Sequence, residues 1–502
     1  MAFRVTNLRA DSVVHYPLAL LCGVCDGGDD SVSVTNLTNE YCGGFTSWPV
    51  IKRKFKVFVQ LVHGRNNLLL KHGATVETFS LFFEPCSQRC YIRLVYVTCC
   101  DAPQQGHFQG PEEEDCSIES ACSRISLGML ILQATLAETL AASGMGHKSF
   151  FLEHTEKNSS PIVHVFKSKL QYDKARVMTG EDIWSHVATE LMNSELRDGD
   201  RCKFVAFLSW TRYRADVVEA MTHSEMLSRM SGHVMVGAGG LALCGTGCLY
   251  TWARNIEELP CRLYDSRQVD RLHFMDDSNN RGTLSACYSS SLGGVLHEMG
   301  HTFGLGHTRE GIMGHGFHEI SHVYTVSNYD AGTVWDSLSS SGQSSVNVDS
   351  ASADSAEPRR IRLTTLRLKG QPGCTAGQKH HVSGARWSRS CAVILSCHPW
   401  MNGNRSLNTV GSIQLLGEHL LTSPHGICLV EFSRPEDAMV IGFWEFSDGV
   451  EEVCIEPKKL HHLSQSDGLL ELEPHSKYDT GALHIFAVDM AGNTFTKIVD
   501  LL

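Results

Sequence analysis

Patterns typical of strands and of helices alternate between residues 91 and 208, and this alternation limits the possible folds more than any other feature of the sequence. The run 91–97 is apolar and rich in Val, Ile and Tyr, which is typical of a buried strand. A long helix is predicted next, because its apolar residues are spaced by three and four: Ile125, Met129, Leu132, Leu136 and Leu140. A strand, a helix and a strand are then predicted at 161–166, 181–192 and 203–208. This order is typical of an α/β layer with a mainly parallel sheet.

Two stretches with strand patterns flank this layer. In the first, Phe55, Val57 and Val59 alternate with other residues in a period of two, which predicts strands. Strand patterns return near the other end, notably at 427–432 and 483–488. A chain of 502 residues is too long for one core. We therefore predict three domains: a β-sandwich of immunoglobulin type (1–90), the α/β (α+β) domain (91–405) and a C-terminal β-sandwich of the same type (406–502).

The segment 337–357 has a composition unlike the rest of the chain. It reads SLSSSGQSSVNVDSASADSAE and contains almost no large apolar residues. Such a segment cannot bury enough apolar surface to offset the entropy of ordering it. We predict that it forms a disordered loop within the domain 91–405.

Composition and charge exclude some classes of partner. The net charge is -12 and no run of basic residues is present, which argues against binding to nucleic acid or to an anionic membrane. No run reaches the roughly 20 apolar residues that a membrane span needs. The 19 cysteines are scattered through apolar runs, as buried free thiols are, and they favour a reducing, cytoplasmic location.

The most informative motif begins at His297 and reads HEMGHTFGLGH. His297 and His301 are four residues apart, so a helix places both imidazoles on one face, where they can bind one ion. Gly304 can adopt a positive φ and end the helix, which lets the chain bring His307 back to the same ion. Three nitrogen ligands leave a fourth position for water, as in catalytic zinc sites.

Glu298 follows the first of these histidines directly and predicts the chemistry of the site. Its carboxylate can accept a proton from a zinc-bound water that attacks a polarised carbonyl, and can then deliver the proton to the leaving amine. The motif therefore predicts a zinc-dependent endopeptidase that binds one catalytic Zn²⁺ and cleaves a peptide or protein substrate.

The motif HExxHxxGxxH, followed by Met313 in the run GIMGHGF, resembles the metzincin clan of zinc endopeptidases. This resemblance implies that Met313 supports the zinc site from beneath as a Met-turn residue; the alternative is an ordinary loop methionine. His315 stands where some metzincins carry a Tyr, which implies contact with the transition state, although a solvated loop histidine fits equally. The resemblance also implies that the run 239–248 is an edge strand that pairs with substrate, although a sheet strand covered by the Ser-rich loop fits equally.

A wider resemblance narrows the family. The runs RISLGMLILQATLAETLAASG, GGLALCGTGCLYTW and RWSRSCAVILSCHPW, together with the zinc motif, are similar to cytosolic zinc metallopeptidases of fungi and animals. Some fungal members of that family carry a jacalin-like C-terminal domain. The sequence shows no such pattern, so lectin activity is not expected.

The sequence also allows other interpretations of the function and of a second metal site. A catalytically silent, zinc-containing binding or scaffold protein could use its flanking β-sandwiches to recruit protein partners, although such a site has no need of Glu298. A zinc aminopeptidase is disfavoured, because those enzymes usually take their third ligand from a Glu on a second helix. Cys22, Cys25, Cys86 and Cys90 could form a structural zinc site, but buried thiols explain them better.

The composition of 337–357 leads to a prediction about proteolysis. We expect an added protease at low concentration to cleave this segment first, because its backbone is not protected by packing. Mass spectrometry of the early fragments locates the cut. Cleavage that is faster inside 91–305 would contradict the predicted domain organisation.

Overall fold

The computed structural model describes residues 3–27, 30–38, 45–85, 90–154, 160–220, 222–327, 363–364, 384–402, 412–455 and 482–500. The chain separates into two compact units. The first unit contains Met1–Val326 and His380–Leu407, and the second contains Ser327–Lys379 and Asn408–Leu502. The segment 337–357, predicted to be a disordered loop, lies outside the described residues.

The first unit begins with antiparallel β structure. Its strands are β1 (Phe3–Val5), β2 (Ser12–Val14), β3 (Leu18–Cys25), β4 (Ser31–Asn36), β5 (Thr46–Ile51), β6 (Lys54–Gln60), β7 (Gly64–His72) and β8 (Thr75–Phe83). They are ordered β1-β3-β6-β5-β4-β7-β8-β2, and only β2 and β8 pair in parallel. The β structure predicted for residues 1–90 is therefore present. Its immunoglobulin class and its separation as a domain stay predictions.

An α/β layer follows in the same unit. Its elements are β9 (Tyr91–Thr98), α1 (Ile118–Ala142), β10 (Val163–Lys167), α2 (Tyr172–Val177), α3 (Gly180–Met192), β11 (Cys202–Leu208), β12 (Arg212–Tyr213), α4 (His223–Ser228), β13 (Met230–Ser231), β14 (Met235–Ala238), β15 (Leu241–Gly245), α5 (Leu259–Leu263), α6 (Leu284–Thr302) and α7 (Ser321–Tyr324). The main sheet has the order β10-β9-β11-β15-β14. Its first four strands are parallel and β14 is antiparallel. The predicted mixed α/β fold with a mainly parallel sheet is confirmed.

Helix α1 is buried within the first unit over most of its length. Among the described residues it is the one helix long and apolar enough to cross a membrane, but 83% of its apolar window is buried within the protein. Buried Arg124 forms an ion pair with Glu114 and donates to the carbonyls of Tyr250 and Trp252. The long apolar run, which the sequence analysis did not count as a span, is thus the core helix of this unit.

The segment His380–Leu407 belongs to the first unit again, after Ser327–Lys379 of the second. Helix α8 (Arg389–Cys397) is buried along almost its whole length, and Ser388 caps its N-terminus by accepting from the backbone N–H of Cys391. Trp387 donates from its indole N–H to the hydroxyl of Thr139 on α1, at 2.9 Å. Trp387 and Trp400 are both buried.

The second unit is built around an antiparallel sheet. Its strands are β16 (Leu363–Thr364), β17 (Gln414–Leu416), β18 (Leu420–Ser433), β19 (Val440–Cys454), β20 (Ala482–Asp489) and β21 (Thr494–Asp500). The order is β16-β19-β18-β20-β21, with β17 also paired to β18. Strands β18 and β20 contain the predicted runs 427–432 and 483–488. Apolar side chains of β18, β19 and β20 form a core on one face of this sheet.

Close packing of α1 against the rest of the layer predicts the effect of one substitution. A Cβ on Gly128 would lie 2.5 Å from the ring of Trp252, which is buried between Phe207 and Tyr288. We expect Gly128→Ala to lower the free energy of unfolding by about 1–3 kcal/mol, because the Trp252 ring has no room to move. Denaturant unfolding measures the loss.

Gly180 on α3 provides the matched control. A Cβ there meets its nearest atom only at 3.8 Å. Gly180→Ala should change the free energy of unfolding by less than about 1 kcal/mol. Equal effects of the two substitutions would show that space at Gly128 is not limiting.

Candidate metal centre

Three histidines meet at the C-terminal end of α6. The Nε2 atom of His301 lies 3.2 Å from that of His297 and 3.1 Å from that of His307. Nitrogens that bind one zinc ion tetrahedrally at about 2.0–2.1 Å are separated by roughly 3.3 Å. Among the described residues, these three are the one group of His, Cys, Asp or Glu close enough to share an ion. The residues therefore fit a zinc ion held by three nitrogens.

Backbone carbonyls orient two of the rings. The Nδ1 atom of His297 lies 2.8 Å from the carbonyl oxygen of Ile312, and that of His301 lies 2.9 Å from the carbonyl oxygen of Leu305. A carbonyl can only accept, so each Nδ1 carries the proton and each Nε2 keeps its lone pair for a metal.

The end of α6 explains how His307 returns to the other two ligands. The backbone N–H of Leu305 donates to the carbonyl of Gly300, and that of Gly304 donates to the carbonyl of His301. This is a Schellman motif, which requires a left-handed residue just beyond the helix. Gly304 occupies that position with a φ of 83°. The role predicted for Gly304 is therefore observed.

Burial favours the neutral form of two of the three imidazoles, those of His297 and His301. It lowers the pKa of His297 to about 4, opposed by the bond to Ile312 and helped by the charges of His301, His307 and His315. Burial also lowers the pKa of His301. A neutral imidazole is the form that binds a metal, so protons compete little with an ion here near neutral pH.

Glu298 follows His297 on α6 and is half-buried. Its Oε2 atom accepts a hydrogen bond of 2.6 Å from the backbone N–H of Gly237. Burial raises the pKa of the Glu298 carboxyl to about 7, while the bond from Gly237 lowers it. A cation held by the histidines would also oppose the rise. Gly237 could not be predicted from the sequence, because nothing in its local pattern points to a residue 61 positions away.

Met313 packs directly against α6. Its side chain is 1% exposed, and its sulfur would lie 2.4 Å from a Cβ placed on Gly300. Its carbonyl accepts from the backbone N–H of Thr308, next to the third histidine. Met313 is thus buried between the helix that carries two of the histidines and the segment that carries the third.

His315 and Phe317 follow Met313 and differ in their surroundings. His315 is exposed and begins the 3₁₀ turn Gly316–Glu319. The ring of Phe317 lies 5.1 Å from that of His297, so it forms an apolar wall beside the first histidine. His315 was a candidate from the sequence, but Phe317 was not. A single aromatic residue in a loop has no pattern that predicts contact with a metal centre.

The position of the edge strand differs from the prediction. The run 239–248 contains β15, which pairs with β11 on one side and β14 on the other. The edge of the sheet is instead β14 (Met235–Ala238), on the far side of the turn at Gly239 and Gly240. The prediction was wrong because the whole run is apolar and glycine-rich, and its pattern does not show which arm of the hairpin lies outside.

The four cysteines considered as a structural zinc site, for which buried thiols were the preferred interpretation, are only partly described. Cys86 lies outside the described residues. Cys25 and Cys90 are buried, and burial raises the pKa of both thiols. A raised thiol pKa disfavours the thiolate form that zinc requires.

A three-histidine centre with an adjacent carboxylate, set on a helix of an α/β layer, is the arrangement of a metal-dependent hydrolase. The chain belongs to the family described as "Putative peptidase family", whose model matches residues 2–384. The resemblance to a family of zinc metallopeptidases is thereby confirmed. The metzincin class stays a prediction.

Two curated fungal proteins are similar to this chain, and both are named "Putative zinc metalloproteinase". The protein of Saccharomyces cerevisiae is 22% identical over 355 residues, which cover 63% of this chain and 48% of that protein. The protein of Schizosaccharomyces pombe is 20% identical over 304 residues, which cover 57% of this chain and 47% of that protein. The chain therefore spans about half the length of these relatives.

Solved structures of OgpA from Akkermansia muciniphila also align with the chain. The catalytically inactive form in complex with an O-glycopeptide (glycodrosocin) substrate has a TM-score of 0.41 and 12% identity, and the alignment covers 83% of this chain and 93% of that one. Wild-type OgpA has a TM-score of 0.40 and 12% identity, with 82% and 92% covered.

The packing of Met313 predicts how the centre responds to substitution. Met313→Leu keeps the volume and apolarity, so we expect it to lower the free energy of unfolding by less than about 1.5 kcal/mol and to leave the zinc content unchanged. Met313→Lys places an unpaired charge under α6 and should reduce zinc binding strongly. Denaturant unfolding and elemental analysis measure these effects.

Met192, at the end of α3, is the control for the charge. It is 45% exposed, so Met192→Lys should change neither stability nor zinc content. Full zinc content in Met313→Lys would show that Met313 does not support the centre.

Proposed function

We propose that the protein is a zinc-dependent endopeptidase of the metzincin class, with His297, His301 and His307 as ligands of one Zn²⁺ and Glu298 as general base. The observation that carries this proposal is the position of the Nε2 atom of His301, which lies 3.2 Å from that of His297 and 3.1 Å from that of His307. In the rings of His297 and His301, a backbone carbonyl fixes the proton on Nδ1. A zinc ion bound there supplies Lewis acidity and a nucleophilic water at neutral pH.

In this mechanism Glu298 accepts one proton and then donates it. Its carboxylate accepts one proton from the attacking water as the new C–O bond forms at the peptide carbonyl. It delivers that proton to the peptide nitrogen as the C–N bond breaks, so that an acid and an amine leave. The hydrogen bond from Gly237 to Oε2 holds the carboxylate in place and leaves Oε1 for the proton.

The number of ligands favours a catalytic centre over a silent one. A structural zinc site is usually closed by four protein ligands, whereas a catalytic site has three and keeps one position open. In the part of the chain that the structure describes, the group contains three histidines and no carboxylate or thiol. This composition also disfavours the aminopeptidase pattern, in which a glutamate completes the ligand set.

The proposal extends to the setting in which the enzyme works. We propose a peptide or protein substrate, a cytoplasmic location, and immunoglobulin-like flanking β domains that bind protein partners rather than nucleic acid or membrane. Buried thiols support the location: Cys99 and Cys244 are at most 1% exposed, and burial raises the pKa of both, which makes them inert core residues.

The base assignment predicts the effect of Glu298→Gln. The amide is nearly isosteric but cannot accept the proton, so we expect kcat to fall by about 10²–10⁴-fold while the zinc content and fold are unchanged. A peptide-library cleavage assay with purified protein, with and without a zinc chelator, first identifies a substrate. The rate on that substrate and elemental analysis then test the variant.

Two further variants separate the roles of base and ligand. His301→Ala should lose both zinc and activity, and Glu219→Gln, at an exposed position, should lose neither. Near wild-type turnover in Glu298→Gln would remove this residue from the base role. Full zinc content in His301→Ala would overturn the ligand assignment.

A further inference from the structure

The register of the β14–β15 hairpin decides which backbone groups face the open edge of the sheet. The backbone N–H of Gly245 donates to the carbonyl of Val234, and Val236 pairs with Leu243 two residues further on. Hydrogen-bonded and non-hydrogen-bonded pairs alternate in an antiparallel ladder. Gly237, which is paired with Ala242, therefore points its N–H and its carbonyl away from β15.

That outward N–H is directed at the carboxylate beside the histidines. It donates to Oε2 of Glu298 at 2.6 Å, a short distance typical of a bond to a charged acceptor. An edge-strand amide is normally free to bind solvent or an added strand. Here the amide is bound to the side chain of Glu298 on α6. This hydrogen bond links strand β14 to the helix that carries His297 and His301.

The close approach depends on the absence of a side chain at residue 237. A Cβ there would lie 1.9 Å from the carbonyl oxygen of Glu298, 2.6 Å from its carbonyl carbon and 2.8 Å from its Cα. All three atoms belong to the helix backbone and cannot rotate away. Alanine would therefore push β14 away from α6 and stretch the hydrogen bond. Gly240, in the turn of the same hairpin, meets no atom within 4 Å.

We propose that Gly237 is a positioning residue for Glu298. Its N–H fixes one carboxylate oxygen, and its lack of a side chain lets the strand come close enough to do so. The other oxygen is then presented toward the histidines in one orientation. This role rests on the proposed function, since it takes Glu298 as the base, but the contact itself can be tested without any substrate.

Hydrogen exchange at the Gly237 amide tests the contact. In the full-length protein this amide should exchange slowly. In Glu298→Ala it should exchange at least tenfold faster, because the hydrogen bond to the carboxylate is lost. Glu298→Gln, which keeps an oxygen acceptor, should retain most of the protection. The Val236 amide, bonded to β15, should be unchanged in both variants. Equal protection of Gly237 in all three proteins would overturn the proposal.

Kinetics test the consequence. Gly237→Ala should lower kcat by about 100-fold, as expected when a reacting group is displaced by about 1 Å, with KM changed less than twofold and zinc content unchanged. Gly240→Ala is the matched control and should retain wild-type kinetics. An unchanged kcat, or a loss that lies wholly in KM, would overturn the positioning role.

The two experiments separate the possible failures. If Gly237→Ala does not fold, the exchange comparison still decides the proposal, because it leaves residue 237 intact. If the wild-type protein cleaves no peptide, the proposed function fails while the exchange result stands alone. Fast exchange at Gly237 in an active wild-type enzyme would reject the contact and leave the peptidase assignment in place.

Discussion

Contact between backbones, without intervening side chains, is the constraint on which this centre depends. Helix α6 is approached on one side by Gly237 of β14. On another side, a Cβ on its own Gly293 would lie 1.9 Å from the carbonyl oxygen of Phe317. At Gly300 the helix backbone instead contacts a side chain, since a Cβ there would meet the sulfur of Met313. Such contacts leave little freedom for small shifts, since a well-packed interior accommodates extra atoms only with strain.

Because of this close packing, main-chain groups can orient the side chains of the centre, a role that other side chains often have in proteins. The carbonyls of Ile312 and Leu305 fix the tautomers of two proposed ligands, and the N–H of Gly237 donates to the proposed base. Backbone groups have few alternative conformations once their segments are packed, so the fold itself restricts the orientation of these side chains. The geometry of the centre is therefore a property of the fold.

The parts of this centre that follow from local sequence could be predicted, and the parts that depend on tertiary contacts could not. His297, His301 and Gly304 follow from helical periodicity and from the way helices end. Residues 91–208 likewise indicated the parallel layer. Gly237 and Phe317 act through segments distant in sequence, and neither has a chemical group that marks it. The edge strand was misplaced for the same reason, because hydropathy does not reveal which arm of an apolar hairpin lacks a neighbour.

A segment much later in the chain binds the loop that contains Ile312 through a hydrogen bond and an ion pair. The backbone N–H of Ile312 donates to the carbonyl of Arg386, whose guanidinium pairs with Glu310. A nascent chain that has passed His307 thus contains every proposed metal ligand but not the residue that anchors the loop behind them. A chain that stops between His307 and Arg386 therefore keeps every proposed ligand and loses the hydrogen bond that holds the loop behind them.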